Sequence, residues 1–165
     1  ARTINEAINV GIEKIINTGW QLIWQTGKTF SETAKKTVAG KSGVWQNDFI
    51  TKMDEAYAAA DIIISRSGAM SVAEICMAAK PVVFVPFPFA AEDHQTANAT
   101  ALVGKDAAIL IKDSNAAADL VNTVVALAAD EARQMKMKKN LVALAKYDAD
   151  TIIAKQILNT IHGVA

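Results

Sequence analysis

The residues richest in usable chemistry run from 65 to 74: Ser65-Arg66-Ser67-Gly68-Ala69-Met70-Ser71-Val72-Ala73-Glu74. An apolar run ends just before them, small residues follow, and a helical pattern begins after Gly68. Glycine lets the backbone turn tightly or approach a ligand closely. The unbonded N–H groups of a helix start, here near Ala69, Met70 and Ser71, carry the positive end of the helix dipole. They suit an anion the size of a diphosphate. Ser71-x-x-Glu74 has a second reading, a capping box in which both side chains satisfy helix-end N–H groups. Spacing alone favours the cap for Glu74, and Arg66 reads equally as a structural charge partner. There is no Walker sequence and no glycine-rich dinucleotide fingerprint, so the segment by itself reads only as a candidate phosphate site.

A second cluster spans 86 to 98: Pro86-Phe87-Pro88-Phe89-Ala90-Ala91-Glu92-Asp93-His94-Gln95-Thr96-Ala97-Asn98. Glu92 and Asp93 stand where acidic groups favour a helix dipole. As sequence neighbours they make a poor acid–base pair. His94 and Gln95 have the donors and acceptors to bind sugar hydroxyls, and read as well as exposed first-turn residues. Two histidines and one cysteine without ligand spacing give no zinc site. Cys76 sits among apolar helical neighbours and reads as core.

These segments need elements to hold them. Ile4, Ile8, Ile12, Ile15 and Ile16 recur at helical spacing, predicting a helix over 3–18 stopped by Gly19. Strands are expected at 20–25, 44–49, 62–64, 81–86 and 107–111. Helices are expected at 30–38, 53–60, 71–79, 93–103, 116–128, 131–145 and 149–161, with Asp113, Asp130 and Asp148 as caps for the last three. Short β-branched strands alternating with helices predict an α/β fold, a Rossmann-like parallel sheet with helices on both faces. Ligands of such sheets lie beyond the carboxyl ends of the strands, which points to the loops after Gln25, Phe49, Ile64 and Val85.

The bulk properties narrow the class. A chain of 165 residues suits one domain. Its 17 basic and 17 acidic side chains balance, so bulk charge argues for neither nucleic acid nor an anionic membrane. A single cysteine excludes an intrachain disulfide and fits a reducing cytosol. No signal-peptide pattern and no apolar run of about 18 residues is present, so the chain is expected to be soluble by itself. Lys136, Lys138 and Lys139 read as a solvated helix face. The sequence opens directly in a helical pattern with no strand ahead of it, as if beginning inside a domain.

The pattern resembles the peptidoglycan N-acetylglucosaminyltransferase family over nearly the whole chain. The residues that carry the likeness are Ala1-Arg2-Thr3-Ile4-Asn5, Gln25-Thr26-Gly27-Lys28, Asp48-Phe49-Ile50 with Met53, and Ala56-Tyr57-Ala58-Ala59-Ala60-Asp61. It continues through Ser65 to Glu74, Lys80-Pro81 to Val85-Pro86, and Asp93-His94-Gln95 to Asn98-Ala99. The resemblance implies one half of a GT-B glycosyltransferase, with residues 1–165 as the C-terminal UDP-sugar-binding domain. It also implies that a glycine-rich loop, the domain's first strand and the N-terminal acceptor domain lie outside the sequence, which would leave a gap in the sheet. On this likeness the backbone at Ile50 reads the uracil edge, and Glu74 accepts from both ribose hydroxyls. Ala69, Met70 and Ser71 face the diphosphate, Gln95 and His94 bind the N-acetylglucosamine hydroxyls, and Arg66 lies close by. The family commonly has a second glutamine where this chain has His94.

The implied reaction is inverting transfer of N-acetylglucosamine from UDP to the 4-hydroxyl of a lipid-linked muramoyl-pentapeptide. No metal or cofactor is expected, and no catalytic residue here, because the base is expected in the acceptor domain; residues 1–165 alone are expected to be inactive. The implied location is cytoplasmic, with the full enzyme peripheral on the inner membrane through that other domain. Three rivals rank below: the donor subunit of a two-subunit transferase, a UDP-N-acetylglucosamine 2-epimerase, and a non-catalytic α/β module.

Overall fold

The computed structural model describes residues 1–161. In chain order its elements are α1 (Arg2–Ile16), β1 (Leu22–Gln25), α2 (Lys28–Val38), β2 (Val44–Asn47), α3 (Met53–Ala59) and β3 (Ile63–Ser65). They continue with α4 (Ala69–Ala78), β4 (Val82–Phe84), α5 (His94–Val103), β5 (Ile109–Leu110), α6 (Ala116–Ala128), α7 (Glu131–Leu144) and α8 (Ala149–Ile161). Short 3₁₀ turns at Ala91–Asp93 and Asp113–Asn115 lead into α5 and α6. Every expected element forms, with ends moved by a few residues.

β4 is the keel of the fold. It pairs in parallel with β3 on one side and β5 on the other. Its side chains alternate between two cores. Val83, with Val85 just beyond the strand, packs with Ile4, Ile8 and Ile12 of α1 and with Leu120 and Val124 of α6. Val82 and Phe84 pack on the opposite face against Ile75 and Cys76 of α4 and Leu102 of α5. A strand buried on both faces must be apolar at successive positions, which is why this run has no polar alternation.

Residue patterning predicts one parallel sheet and the family resemblance a gap in it; the strands form two sheets, β1–β2 and β3–β4–β5, all parallel. Trp24 of β1 shares a core with Val83 and Val85, so side chains rather than a backbone ladder join the two sheets. Apolar patterning reports which faces are buried and carries no information about which edges pair. Buried Asn5 stitches α1 to the first sheet: it donates to the Thr26 carbonyl at 2.7 Å and accepts from Trp24 Nε1 at 3.0 Å.

The caps differ from expectation in one instructive place. Asp130 does cap α7, accepting from the Arg133 N–H at 2.9 Å. Asp113 does not cap α6; Asn115 stands at that position, and the Asp113 carboxylate turns to Arg66 and Thr3. α8 is helical as expected and buries none of its side chains, leaving Ile153 and Ile157 in solvent. α1 ends at Ile16 with Asn17 as a right-handed C-cap, short of the expected stop; Gly19, at φ +84°, closes the turn that follows.

α1 and α6 approach closely at Gly11, where an added Cβ would stand 2.5 Å from Val121 Cγ2. Gly11→Ala gains about 1 kcal/mol of helix propensity against about 1–3 kcal/mol of overpacking on a stiff β-branched neighbour. Thermal unfolding of Gly11→Ala is expected to show a lowered midpoint, restored by adding Val121→Ala.

Candidate functional site

The site is built where β3 and β4 release the chain. Arg66 leaves β3 and turns inward. Its Nη1 lies 2.8 Å from the carbonyl oxygens of both Val85 and Pro86, and 2.5 Å from Asp113 Oδ1. The other carboxylate oxygen accepts from Thr3 Oγ1 at 2.9 Å. One guanidinium thus joins the ends of β3 and β4, the turn before α6 and the first turn of α1. The charged groups of Arg66 and Asp113 are each about four-fifths buried. Phe87 covers the guanidinium face at 5.6 Å from the ring centroid.

Ser67, fully buried, makes a second clasp. Its Oγ donates to the Gln95 carbonyl at 2.7 Å, and its own carbonyl accepts from Asn98 Nδ2 at 3.0 Å. Nothing in the sequence marks Ser67 apart from its serine neighbours; its role depends on α5 arriving beside it.

α4 begins at Ala69 with Gly68 as N-cap and no side-chain cap. Its first intrahelical bond runs from Val72 N–H to the Gly68 carbonyl. The N–H groups of Ala69, Met70 and Ser71 precede that bond and face outward. The capping box read from Ser71 and Glu74 does not form. The helix starts three residues earlier than that motif requires, which puts Ser71 in the third helical position and Glu74 in the sixth. Glu74 instead accepts from the Tyr57 hydroxyl of α3 at 2.9 Å. Both residues line a shallow groove of about 440 Å³ between α3 and α4. Burial pushes the Tyr57 phenol above its ordinary value, with the Glu74 hydrogen bond and charge adding to the shift.

The stretch from β4 to α5 is shaped by two successive left-handed residues, Glu92 at φ +50° and Asp93 at φ +52°. Such conformations strain a residue that has a Cβ, and strain of this kind gathers at functional sites. Gln95 Oε1 accepts from the Phe87 N–H at 3.0 Å, which fixes the side chain and leaves its amide NH₂ outward. His94 is exposed, with Nδ1 2.7 Å from the Ala91 carbonyl. That contact requires the proton on Nδ1 and leaves Nε2 as the outward nitrogen. Across the strand ends, the Ile50 N–H donates to Gln25 Oε1 at 2.8 Å, leaving the Ile50 carbonyl free of that bond.

The structure therefore sets two adjacent clasps side by side, Arg66 on the Val85 and Pro86 carbonyls and Asp113, and Ser67 on Gln95. It sets Ala69, Met70, Ser71 and Glu74 along the start of α4, and holds Ile50 and His94 by separate local bonds. Sequence reasoning assigned no role to Tyr57 and took Asp113 for a cap. A signal for Tyr57 exists: a tyrosine alone among alanines in a short helix needs a partner for its hydroxyl. Cys76 is buried, and burial pushes its thiol up, away from a nucleophile. Among the described residues no group of three His, Cys, Asp or Glu side chains is placed to share a metal, and no helix is long and apolar enough to cross a membrane.

The model of the glycosyltransferase family 28 C-terminal domain matches residues 1–153. The chain belongs to this family. A relative from Parabacteroides distasonis, named UDP-N-acetylglucosamine--N-acetylmuramyl-(pentapeptide) pyrophosphoryl-undecaprenol N-acetylglucosamine transferase, is 47% identical over 156 residues. The match covers 93% of this chain and 42% of that protein. A protein of the same name from Porphyromonas gingivalis W83 is 44% identical over 164 residues, covering 98% of this chain and 43% of the relative. Among solved structures, that of Acinetobacter baumannii MurG superposes with a TM-score of 0.82 at 27% identity, over 96% of this chain and 46% of that one. The family 28 domain described here thus spans well under half the length of the curated relatives it matches. Its fold is that of the C-terminal half of a GT-B enzyme.

Two outcomes test the site's architecture. Asp113→Ala leaves a largely buried guanidinium without its counter-charge and is expected to destabilise the fold by about 3 kcal/mol in urea unfolding. A change under about 1 kcal/mol would mean that the Val85 and Pro86 carbonyls suffice. The second concerns Tyr57, whose proton is held more tightly in the folded chain than in the unfolded one. Its contribution is complete below the ordinary tyrosine value of 10.0 and is lost as pH rises above it. The stability difference between the natural chain and Tyr57→Phe is expected to stay level from about pH 7 to 9 and to shrink above about pH 10.

Proposed function

We propose that this chain is the donor-binding half of a GT-B N-acetylglucosaminyltransferase. It would hold UDP-N-acetylglucosamine for inverting transfer to the 4-hydroxyl of a lipid-linked muramoyl-pentapeptide in peptidoglycan synthesis. The observation that carries the reading is on α4. A carboxylate with a fixed hydroxyl partner, Glu74, stands on the same helix face as Met70 and Ser71, whose N–H groups open the helix. A carboxylate accepts from two vicinal hydroxyls and so selects ribose. Helix-start N–H groups receive a diphosphate one turn away. That pairing of ribose acceptor and phosphate donor suits a nucleoside diphosphate.

The chemistry asked of these residues is leaving-group stabilisation. As the glycosidic bond breaks, negative charge grows on the diphosphate, and the N–H groups of Ala69, Met70 and Ser71 meet it without reorganising. The Ile50 carbonyl is suited to accept from the uracil N3–H. Gln95 offers its NH₂ to a sugar oxygen, and His94 Nε2 offers an acceptor to a sugar hydroxyl. Arg66 supports the site by holding its two loops. The base that deprotonates the acceptor, the acceptor site and any contact with the cytoplasmic face of the membrane belong to residues outside 1–165. The relatives, more than twice as long, have room for them. A further strand between β1 and β3 would join the two sheets into one.

Calorimetric titration with UDP-N-acetylglucosamine, beside UDP-glucose, tests the reading. Selective binding is expected, weakened about tenfold or more by Glu74→Ala, as loss of hydrogen bonds to a charged acceptor requires. Equal affinity in natural and Glu74→Ala proteins would overturn the ribose assignment. Conversion of UDP-N-acetylglucosamine to its manno epimer without acceptor would replace the transferase by an isomerase.

A further inference from the structure

We infer that Tyr57 is the positioning residue of the ribose clamp, fixing the Glu74 carboxylate so that its free lone pairs meet the ribose hydroxyls of a UDP-sugar. The inference rests on the donor reading above and adds a residue on a different helix.

A glutamate projecting from a helix into a shallow groove has three side-chain torsions. Ordering them costs about 1.5–2 kcal/mol if nothing holds the group beforehand. Here the Tyr57 hydroxyl donates to Oε2 at 2.9 Å. None of the ion pairs among the described residues involves Glu74. The nearest basic residue lining the groove, Lys80, donates instead to the Ala58 carbonyl at 3.1 Å. Tyr57 is therefore the group that sets the carboxylate's direction.

Tyrosine suits this task. Its ring packs against the core that includes Ile75 and Cys76, so the hydroxyl is carried on a rigid, two-torsion arm. The hydroxyl donates one hydrogen bond, and a carboxylate has about four acceptor positions across its two oxygens. One is taken by Tyr57, and enough remain for two vicinal hydroxyls. A lysine or arginine there would neutralise the acceptor and occupy more of it; a phenylalanine would leave it loose. The arrangement is preorganisation: the clamp is ordered before the donor arrives, so less binding free energy is lost in ordering it. Affinity for a ribose-bearing donor should depend on Tyr57 only through Glu74, and only when the ribose hydroxyls are present.

The test measures dissociation constants in the intact protein for UDP-N-acetylglucosamine and for its 2′,3′-dideoxyribose analogue, in four proteins: natural, Tyr57→Phe, Glu74→Ala and the double variant. Tyr57→Phe retains the ring, and its thermal midpoint establishes folding. The expected result is binding of UDP-N-acetylglucosamine weakened about fivefold by Tyr57→Phe. That loss should disappear in the Glu74→Ala background and with the dideoxy donor. A folded Tyr57→Phe that binds like the natural protein, while Glu74→Ala is weakened, overturns the positioning role and leaves the donor reading standing. An equal loss for both donors means that Tyr57 only supports the fold, and also overturns it. If the folded natural protein binds no UDP-N-acetylglucosamine, the donor reading and the inference both fall; if Glu74→Ala binds it unchanged, the ribose assignment and the inference fall together.

Discussion

The Arg66–Asp113 pair is the constraint from which the rest of the site follows. Four parts of the chain distant in sequence meet on it: the end of β3, the end of β4, the turn ahead of α6 and the start of α1. A charge this far out of water is tolerated only with a counter-charge and near-complete hydrogen bonding, so the pair admits little displacement of any part it joins. The loops that leave β3 and β4 are thereby held against one another. With them the start of α4 and the entry to α5 have fixed places.

On that base, polar groups divide into those that lock and those left open. Ser67 and Asn98 are spent on the join between the β3 exit and α5. Gln95 uses its side-chain Oε1 on the Phe87 N–H, and His94 uses Nδ1 on a carbonyl of its own turn. Each keeps one polar end outward. At α4 the opposite holds: Gly68 supplies no side chain to the helix start, so three N–H groups are left without a side-chain cap. A helix with glycine at its N-cap gives up only roughly a few tenths of a kcal/mol relative to one with a side-chain cap. The left-handed pair Glu92 and Asp93 is a similar departure from local preference, in the turn that leads into α5.

Legibility in the sequence varied with the kind of interaction. Element type was readable almost throughout, because the isoleucines of α1 and the unbroken apolar run of β4 are local patterns with unambiguous periods. The capping box at Ser71 and Glu74 was legible and misleading. Its spacing matched, but the loop placed the helix start at Ala69, and a shift of three residues converts a cap into a half-buried carboxylate that pairs with Tyr57. Asp113 misled for the same reason: an aspartate ahead of a helix is normally a cap, and only the arrival of Arg66 from another strand claims it.

By itself the sequence determined what depends on near neighbours: alternating strands and helices, β4 buried on both faces, a small-residue loop feeding a helix, and the motifs that mark the family. Tertiary structure decided what depends on separated segments meeting. It left side chains rather than a backbone ladder to join β1–β2 to β3–β4–β5, because patterning reports which faces are buried and not which edges pair. It spent Arg66 on internal carbonyls and gave Glu74 to Tyr57, because a side chain's partner is set by which elements pack beside it, and that geometry is written in no local period.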